Sequence, residues 1–185
     1  ASFSSHKIYG PKGIGALYIK GGSRKWPWDY PLYGGGQESG IRPGTHNVPA
    51  IVGFGEACDI MSLNCSHFLR KLSSLTQAFE KLLSAQHSPF LIHCQESPRI
   101  GGLSSIYLNS PKAELILEHL SGVAISKASA CNSSSLEKSH VIQAINSDYS
   151  LSDKTIRVSF GLETDDSNVA DLFNDLMNSV QVIHK

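Results

Sequence analysis

Between residues 51 and 85 the apolar side chains return every three or four positions: Ile51, Val52, Phe54 and Cys58, then Phe68, Leu69, Leu72, Leu75, Phe79, Leu82 and Leu83. Only a helix brings such positions onto one face, so the stretch reads as a long or broken amphipathic helix ending near Ala85. Such an element divides the chain into a leading segment, residues 1–50, a connecting helix, 51–86, and a trailing domain, 87–185. Residues 1–48 are rich in Gly, Pro and aromatic side chains, with one strand candidate at Gly15–Ile19. That texture belongs to loops gathered round a site. The chain opens on Ala1 inside a dense motif, which reads as the interior of a longer protein.

Behind the helix, short elements alternate. Phe90–His93, Leu103–Leu108, Val123–Ser126 and Thr155–Phe160 read as strands. Ser110 and Pro111 form an N-cap and first-turn pair for a helix running to Leu120 and closed by Gly122. Ser134 and Glu137 have capping-box spacing for a helix to Ile145. Val169, Leu172, Phe173, Leu176, Met177 and Val180 make an apolar stripe on a last helix, with Asp165 and Asp166 favourable at its start. The trailing domain is therefore a small α/β or α+β unit, with helices on one face of a mixed sheet.

Sixteen basic residues balance sixteen acidic ones, so the chain lacks the electrostatic footprint of a nucleic-acid or anionic-membrane binder. No apolar run approaches bilayer length. The four cysteines, Cys58, Cys65, Cys94 and Cys131, include no C-x-x-C pair and no zinc spacing with histidine, and read as free thiols of a reducing compartment. Cys58 and Cys65 lie seven apart on one helix face and read as small buried hydrophobes.

Four clusters carry chemistry. Ser4-Ser5-His6-Lys7 leads into Tyr9-Gly10-Pro11-Lys12-Gly13-Ile14-Gly15. Hydroxyls and an imidazole suit a phosphate, close glycines admit backbone approach, and an imine-forming lysine needs such a structured pocket. Gly34-Gly35-Gly36-Gln37-Glu38 continues to Arg42-Pro43-Gly44-Thr45, where Arg42 and Thr45 favour an anion. Ser129-Ala130-Cys131-Asn132-Ser133 sets a thiol among small polar residues, accessible and able to swing on a loop. Arg157, inside the apolar strand run Thr155–Phe160, either points to solvent or grips a carboxylate through two parallel hydrogen bonds. The remaining histidines, His46, His67, His87, His93, His119, His140 and His184, are scattered and carry no assigned role.

These motifs, in this order and over the whole chain, resemble the cysteine desulfurase family of fold-type I enzymes dependent on pyridoxal 5'-phosphate (PLP), closest to the branch that supplies sulfur for iron–sulfur clusters. The resemblance implies the C-terminal part of such a transferase: the end of the large PLP domain followed by the small domain. It implies PLP held covalently on Lys7, with Ser4 and His6 on its phosphate. Thr45 would reach that phosphate across a homodimer interface, and Arg157 would hold the carboxylate of L-cysteine. Cys131 would accept sulfur as a persulfide, leaving L-alanine, and pass it to an acceptor or iron–sulfur scaffold protein in a cytoplasm or organellar matrix. Selenocysteine lyase activity, or a non-catalytic interaction module, are the alternative readings.

Overall fold

The structure, a computed structural model, describes residues 1–22, 32–85, 88–108, 110, 115–120, 123, 125–127, 139–146 and 148–183. It forms two compact units, Ala1–Cys65 and Ser66–Lys185.

In the first unit, β1 (Ser2–Ser4) pairs antiparallel with β2 (Gly15–Leu17), Ser2 opposite Leu17 and Ser4 opposite Gly15. The hairpin is zipped further by Ser5 N–H donating to the Ile14 carbonyl at 3.1 Å and Tyr18 N–H to the Ala1 carbonyl at 2.7 Å. Between the strands lies a 3-10 turn, Ser5–Ile8, closed by Tyr9 in the left-handed region at φ 66°. A second 3-10 turn, Gln37–Gly40, precedes α1 (Val48–Ala85). Asn47 caps α1: its Oδ1 accepts from Ala50 N–H at 3.3 Å. The expected long helix is thus one unbroken element that begins three residues earlier than its periodicity.

In the second unit, β3 (Phe90–Ile92), β4 (Leu103–Leu108), β5 (Ser126–Lys127) and β6 (Thr155–Ser159) form a sheet of order β3-β4-β6-β5. Among the described residues every pairing in it is antiparallel, so the expected mixed sheet is corrected to an antiparallel one there. Exposure alternates strictly along β4, with Ser104, Ile106 and Leu108 buried. Their face joins Leu75, Phe79 and Leu83 of α1 and Val169, Leu172, Phe173, Leu176 and Ile183 of the last helix, α4 (Asp166–Ile183), in one core. Phe79 is fully buried, edge-on to Phe160 with ring centroids 5.6 Å apart. Asp165 caps α4 reciprocally with Asn168, each side-chain oxygen accepting the other's N–H at 2.9 and 3.0 Å. The Asn168 N–H and the Ser167 hydroxyl, both donating to it, hold the Asp165 carboxyl below its usual range.

A polar latch crosses this core. Arg99 grips Glu80 of α1 with two bonds of 2.7 and 2.8 Å, and the Ser104 hydroxyl donates to the same carboxylate at 2.7 Å. Thr76 accepts Gly102 N–H at 2.8 Å and donates to the Leu72 carbonyl, also at 2.8 Å. Lys71 Nζ donates to the Leu162 carbonyl.

Two smaller expectations shift. Of the strand expected at Val123–Ser126, Val123 and Ile125 are not in a strand; among the described residues of this stretch Ser126 and Lys127 pair, with Arg157 and Ile156. The Ser134–Glu137 capping box lies outside the described residues. The short helix α3 (His140–Ile145) is capped instead by Ser139, whose hydroxyl accepts Ile142 N–H at 3.4 Å. A further short helix, α2 (Ile116–His119), occupies part of the range expected after Ser110.

Candidate functional site

The hairpin turn of the first unit collects three of the expected site residues. Ser4 ends β1, and His6 and Lys7 lie in the last turn of the 3-10 segment. All three side chains are exposed. The backbone behind them is closed so tightly that two glycines are obligatory. A Cβ on Gly15 would stand 2.3 Å from the Phe3 carbonyl oxygen, and one on Gly10 would stand 2.1 Å from Ser5 Oγ. Ser5, the hydroxyl given no separate role in the sequence, is fully buried, and its Oγ has no hydrogen-bond partner. Its backbone N–H and carbonyl anchor the turn instead, to Ile14 and Gly10. A primary amine, an imidazole and a hydroxyl thus project from one short turn over a glycine-sealed hairpin. This donor set fits a phosphorylated aldehyde: hydroxyl and imidazole for the phosphate, amine for the carbonyl carbon.

Thr45 is held in the loop before α1. Four side chains tie that loop to itself. Gln37 Oε1 accepts Gly44 N–H at 3.1 Å, Glu38 pairs with His46 at 3.2 Å, and Arg42 Nη1 donates to the carbonyls of Pro43, Gly44 and Thr45 at 3.3, 2.9 and 3.3 Å. No feature of the sequence singles out Gln37, Glu38 or His46 for this work. Their partners are set by a left-handed backbone at Glu38, Ser39, Gly40 and Gly44 that periodicity does not encode.

Arg157 belongs to the second unit, on β6. Its cross-strand neighbours are Ser105 and Ser126, both small, so nothing bulky flanks the guanidinium in that row. It is half-buried rather than pointing freely to solvent, and its Nε is buried with no hydrogen-bond partner. On the same sheet face His93 is buried, its ring against Tyr107 at 4.5 Å between centroids and its Nε2 at 2.9 Å from Thr155 Oγ1. The sequence left His93 without a role, and only the fold reveals its burial. Cys131 lies outside the described residues.

Cys58, Cys65 and Cys94 are all exposed, which corrects the expectation that the first two are buried. A seven-residue spacing fixes the helix face but not what covers it. Among the described residues no group of histidine, cysteine and acidic side chains could hold a metal ion, and no helix is long and apolar enough to cross a membrane.

Compared with known proteins, residues 1–172 match the aminotransferase class-V family. The chain belongs to that family. Enzymes of this family depend on PLP. The chain is 39% identical over 165 residues to the cysteine desulfurase IscS of Dictyoglomus turgidum, covering 88% of this chain and 41% of that protein. It is 36% identical over 182 residues to the IscS of Plasmodium falciparum, covering 97% and 32%. Among solved structures, a NifS-like protein superimposes with a TM-score of 0.81 at 26% identity, covering 98% of this chain and 46% of that one. SspA in complex with cysteine gives 0.63 at 31% identity, covering 86% and 43%. The chain therefore spans less than half the length of these relatives.

Proposed function

We propose that this chain forms the C-terminal part of a PLP-dependent cysteine desulfurase, which removes sulfur from L-cysteine to give L-alanine and a persulfide on Cys131. The observation that carries the reading is the hairpin turn, where an exposed amine, imidazole and hydroxyl stand together in a chain of the class-V family. Lys7 is the residue for covalent attachment, with Ser4, His6 and Thr45 for the phosphate. Thr45 serves the site of the other subunit, so the working form is a homodimer. PLP supplies an electron sink for the substrate's α carbon.

The rest is the work of this chain's side chains. Arg157 takes the substrate carboxylate through the parallel N–H groups of its guanidinium fork. Lys7 Nζ, as a free amine, would move the proton at the α carbon. The Cys131 thiolate attacks the substrate sulfur; the bond from that sulfur to the β carbon breaks, and protonation of the β carbon completes alanine. One thiol and one cysteine become one persulfide and one alanine, with no outside oxidant. The loop bearing Cys131 then presents the sulfur to an acceptor or iron–sulfur scaffold protein.

The test is alanine and sulfide release from L-cysteine by the assembled enzyme, with L-selenocysteine as comparison. Lys7→Ala should abolish covalent cofactor and turnover, whereas Cys131→Ser should keep the cofactor absorbance and lose sulfide. Release of selenium but not sulfur would favour a selenocysteine lyase. Covalent cofactor surviving in Lys7→Ala would overturn the reading.

A further inference from the structure

The loop from Gly34 to His46 has little regular structure, and most of its side chains are exposed, so burial does not dictate its shape. Glu38 and Ser39 nevertheless sit in the left-handed region at φ 53° and 59°, where residues other than glycine are uncommon. Such strain persists only where the surroundings over-determine it, and here the loop's own side chains do so. The Gln37–Gly44 bond and the Glu38–His46 pair close it from within. Beyond Thr45, Asn47 fixes the start of α1.

Arg42 completes the arrangement in a way that matters for ligand chemistry. A single guanidinium nitrogen gathers the carbonyl oxygens of three consecutive residues, Pro43, Gly44 and Thr45. In a trans peptide the N–H points opposite to the C=O, and among the described residues, 43–46 included, no peptide bond is cis. With three carbonyls drawn to one side, the N–H groups of Gly44, Thr45 and His46 face the other. Gly44 N–H is taken by Gln37. The amides of Thr45 and His46 are thereby turned away from the guanidinium. Successive amides facing outward, with repelling carbonyls withdrawn, make an anion-binding edge.

We infer that Arg42 is a positioning residue: by gathering the 43–45 carbonyls it turns the Thr45 and His46 amides and the Thr45 hydroxyl into one edge that takes the cofactor phosphate. This rests on Thr45 being a phosphate contact and adds to it two backbone donors and the residue that aims them. The sequence suggested that Arg42 would meet an anion directly. The geometry gives its Nη1 to the backbone instead.

The test is the ratio of affinities for PLP and for pyridoxal, which lacks the phosphate, measured by spectroscopic titration of the apo form of the assembled enzyme. Thr45→Val should lower that ratio about tenfold, the scale of one charge-assisted hydrogen bond. Arg42→Gln should lower it at least as far while leaving pyridoxal affinity unchanged. Arg42→Lys should restore most of it, because one ammonium nitrogen can serve the same three carbonyls. If Thr45→Val lowers the ratio and Arg42→Gln does not, the inference fails while the reading of Thr45 stands. If Arg42→Gln weakens both ligands equally, the residue merely supports the loop, and the inference fails. An unchanged ratio in Thr45→Val removes the phosphate contact itself.

Discussion

His93 donates its Nε2 proton to Thr155: the two atoms are 2.9 Å apart, and the Thr155 hydroxyl places its own proton on the Leu151 carbonyl at 2.6 Å. A hydroxyl has one proton, so Thr155 can only accept from the imidazole. The neutral ring is thus fixed as the Nε2–H tautomer, and the chain His93, Thr155, Leu151 ties β3 and the start of β6 to the 3-10 turn Tyr149–Ser152.

Burial pushes the His93 pKa below the ordinary imidazole value of 6.5. The unfolded chain therefore binds this proton more readily than the folded one. The neutral ring's contribution is complete above about pH 6.5 and declines as the pH falls through that value towards the folded pKa. Urea unfolding at pH 7.5 and 5.5 should show lower stability at the acid value, and His93→Gln should flatten that difference. At pH 7.5, Thr155→Val strands the imidazole N–H and should remove about 1–3 kcal/mol.

Glu80 and Arg99 set a second acid-sensitive contact in a lower pH range. Burial raises the carboxyl's pKa, but the Arg99 fork and the Ser104 hydroxyl outweigh it and leave the value below the ordinary one. The folded pKa is depressed, so the stabilisation is present above the unfolded carboxylate value and is lost as pH falls through the folded one. Arg99→Leu leaves an unpaired carboxylate that is only 11% exposed, and should lose about 3 kcal/mol. Adding Glu80→Leu should recover part of that loss, and a double-mutant cycle at pH 7.5 measures the coupling.

Much of this fold is legible in the order of the residues alone. The 3.6-residue period of residues 51–85 and the apolar stripe of α4 are long enough to read directly, and Thr155–Phe160, which holds β6, alternates polar and apolar residues. Other features depend on partners distant in sequence. β1 has three exposed residues and no alternation, and exists because Ser2–Ser4 meets Gly15–Leu17. The antiparallel sense of the sheet follows from pairings such as Ser105 with Arg157, which no local pattern records. The site divides in the same way. Lys7, His6 and Ser4 stand out because their chemistry is compressed into one motif. The Gln37–Gly44 tie and buried His93 carry no local signal, since one depends on left-handed backbone and the other on what packs above a sheet.

The core hinges on Phe79, which is fully buried between the sheet and α4 and touches Phe160 edge-on. Phe79→Ala removes a ring that its rigid surroundings cannot replace, and should lower stability by about 3–5 kcal/mol. Phe79→Leu, which keeps most of the volume, should lose less. Thermal and urea unfolding of both variants checks the order.

Three exposed thiols give a chemical check on the first helix and the turn after β3. Cys58, Cys65 and Cys94 should all react with a disulfide reagent under native conditions, without the lag that burial imposes. Replacing all three by serine should change stability little, as exposed positions do. Within these 185 residues the triple variant leaves Cys131 as the one remaining cysteine, so any native thiol signal this chain still gives belongs to it.

Arg157 offers a prediction in which folding and function move in opposite directions. Its Nε is buried without a partner, a state that penalises the folded chain, while the serines on either side leave room beside the guanidinium. If the residue served the fold, replacing it by Leu would destabilise the protein. If it is kept for a substrate carboxylate, Arg157→Leu should leave unfolding stability unchanged or raised. In the assembled enzyme the same variant should raise the KM for L-cysteine by about 10- to 100-fold, the worth of a charge-assisted bidentate contact. Arg157→Lys retains the charge but loses the parallel pair of bonds, and should fall between wild type and Leu. Unfolding curves and cysteine titrations on the same preparations separate the two roles: a stability loss in Arg157→Leu with unchanged KM would assign this side chain to the sheet rather than to the substrate.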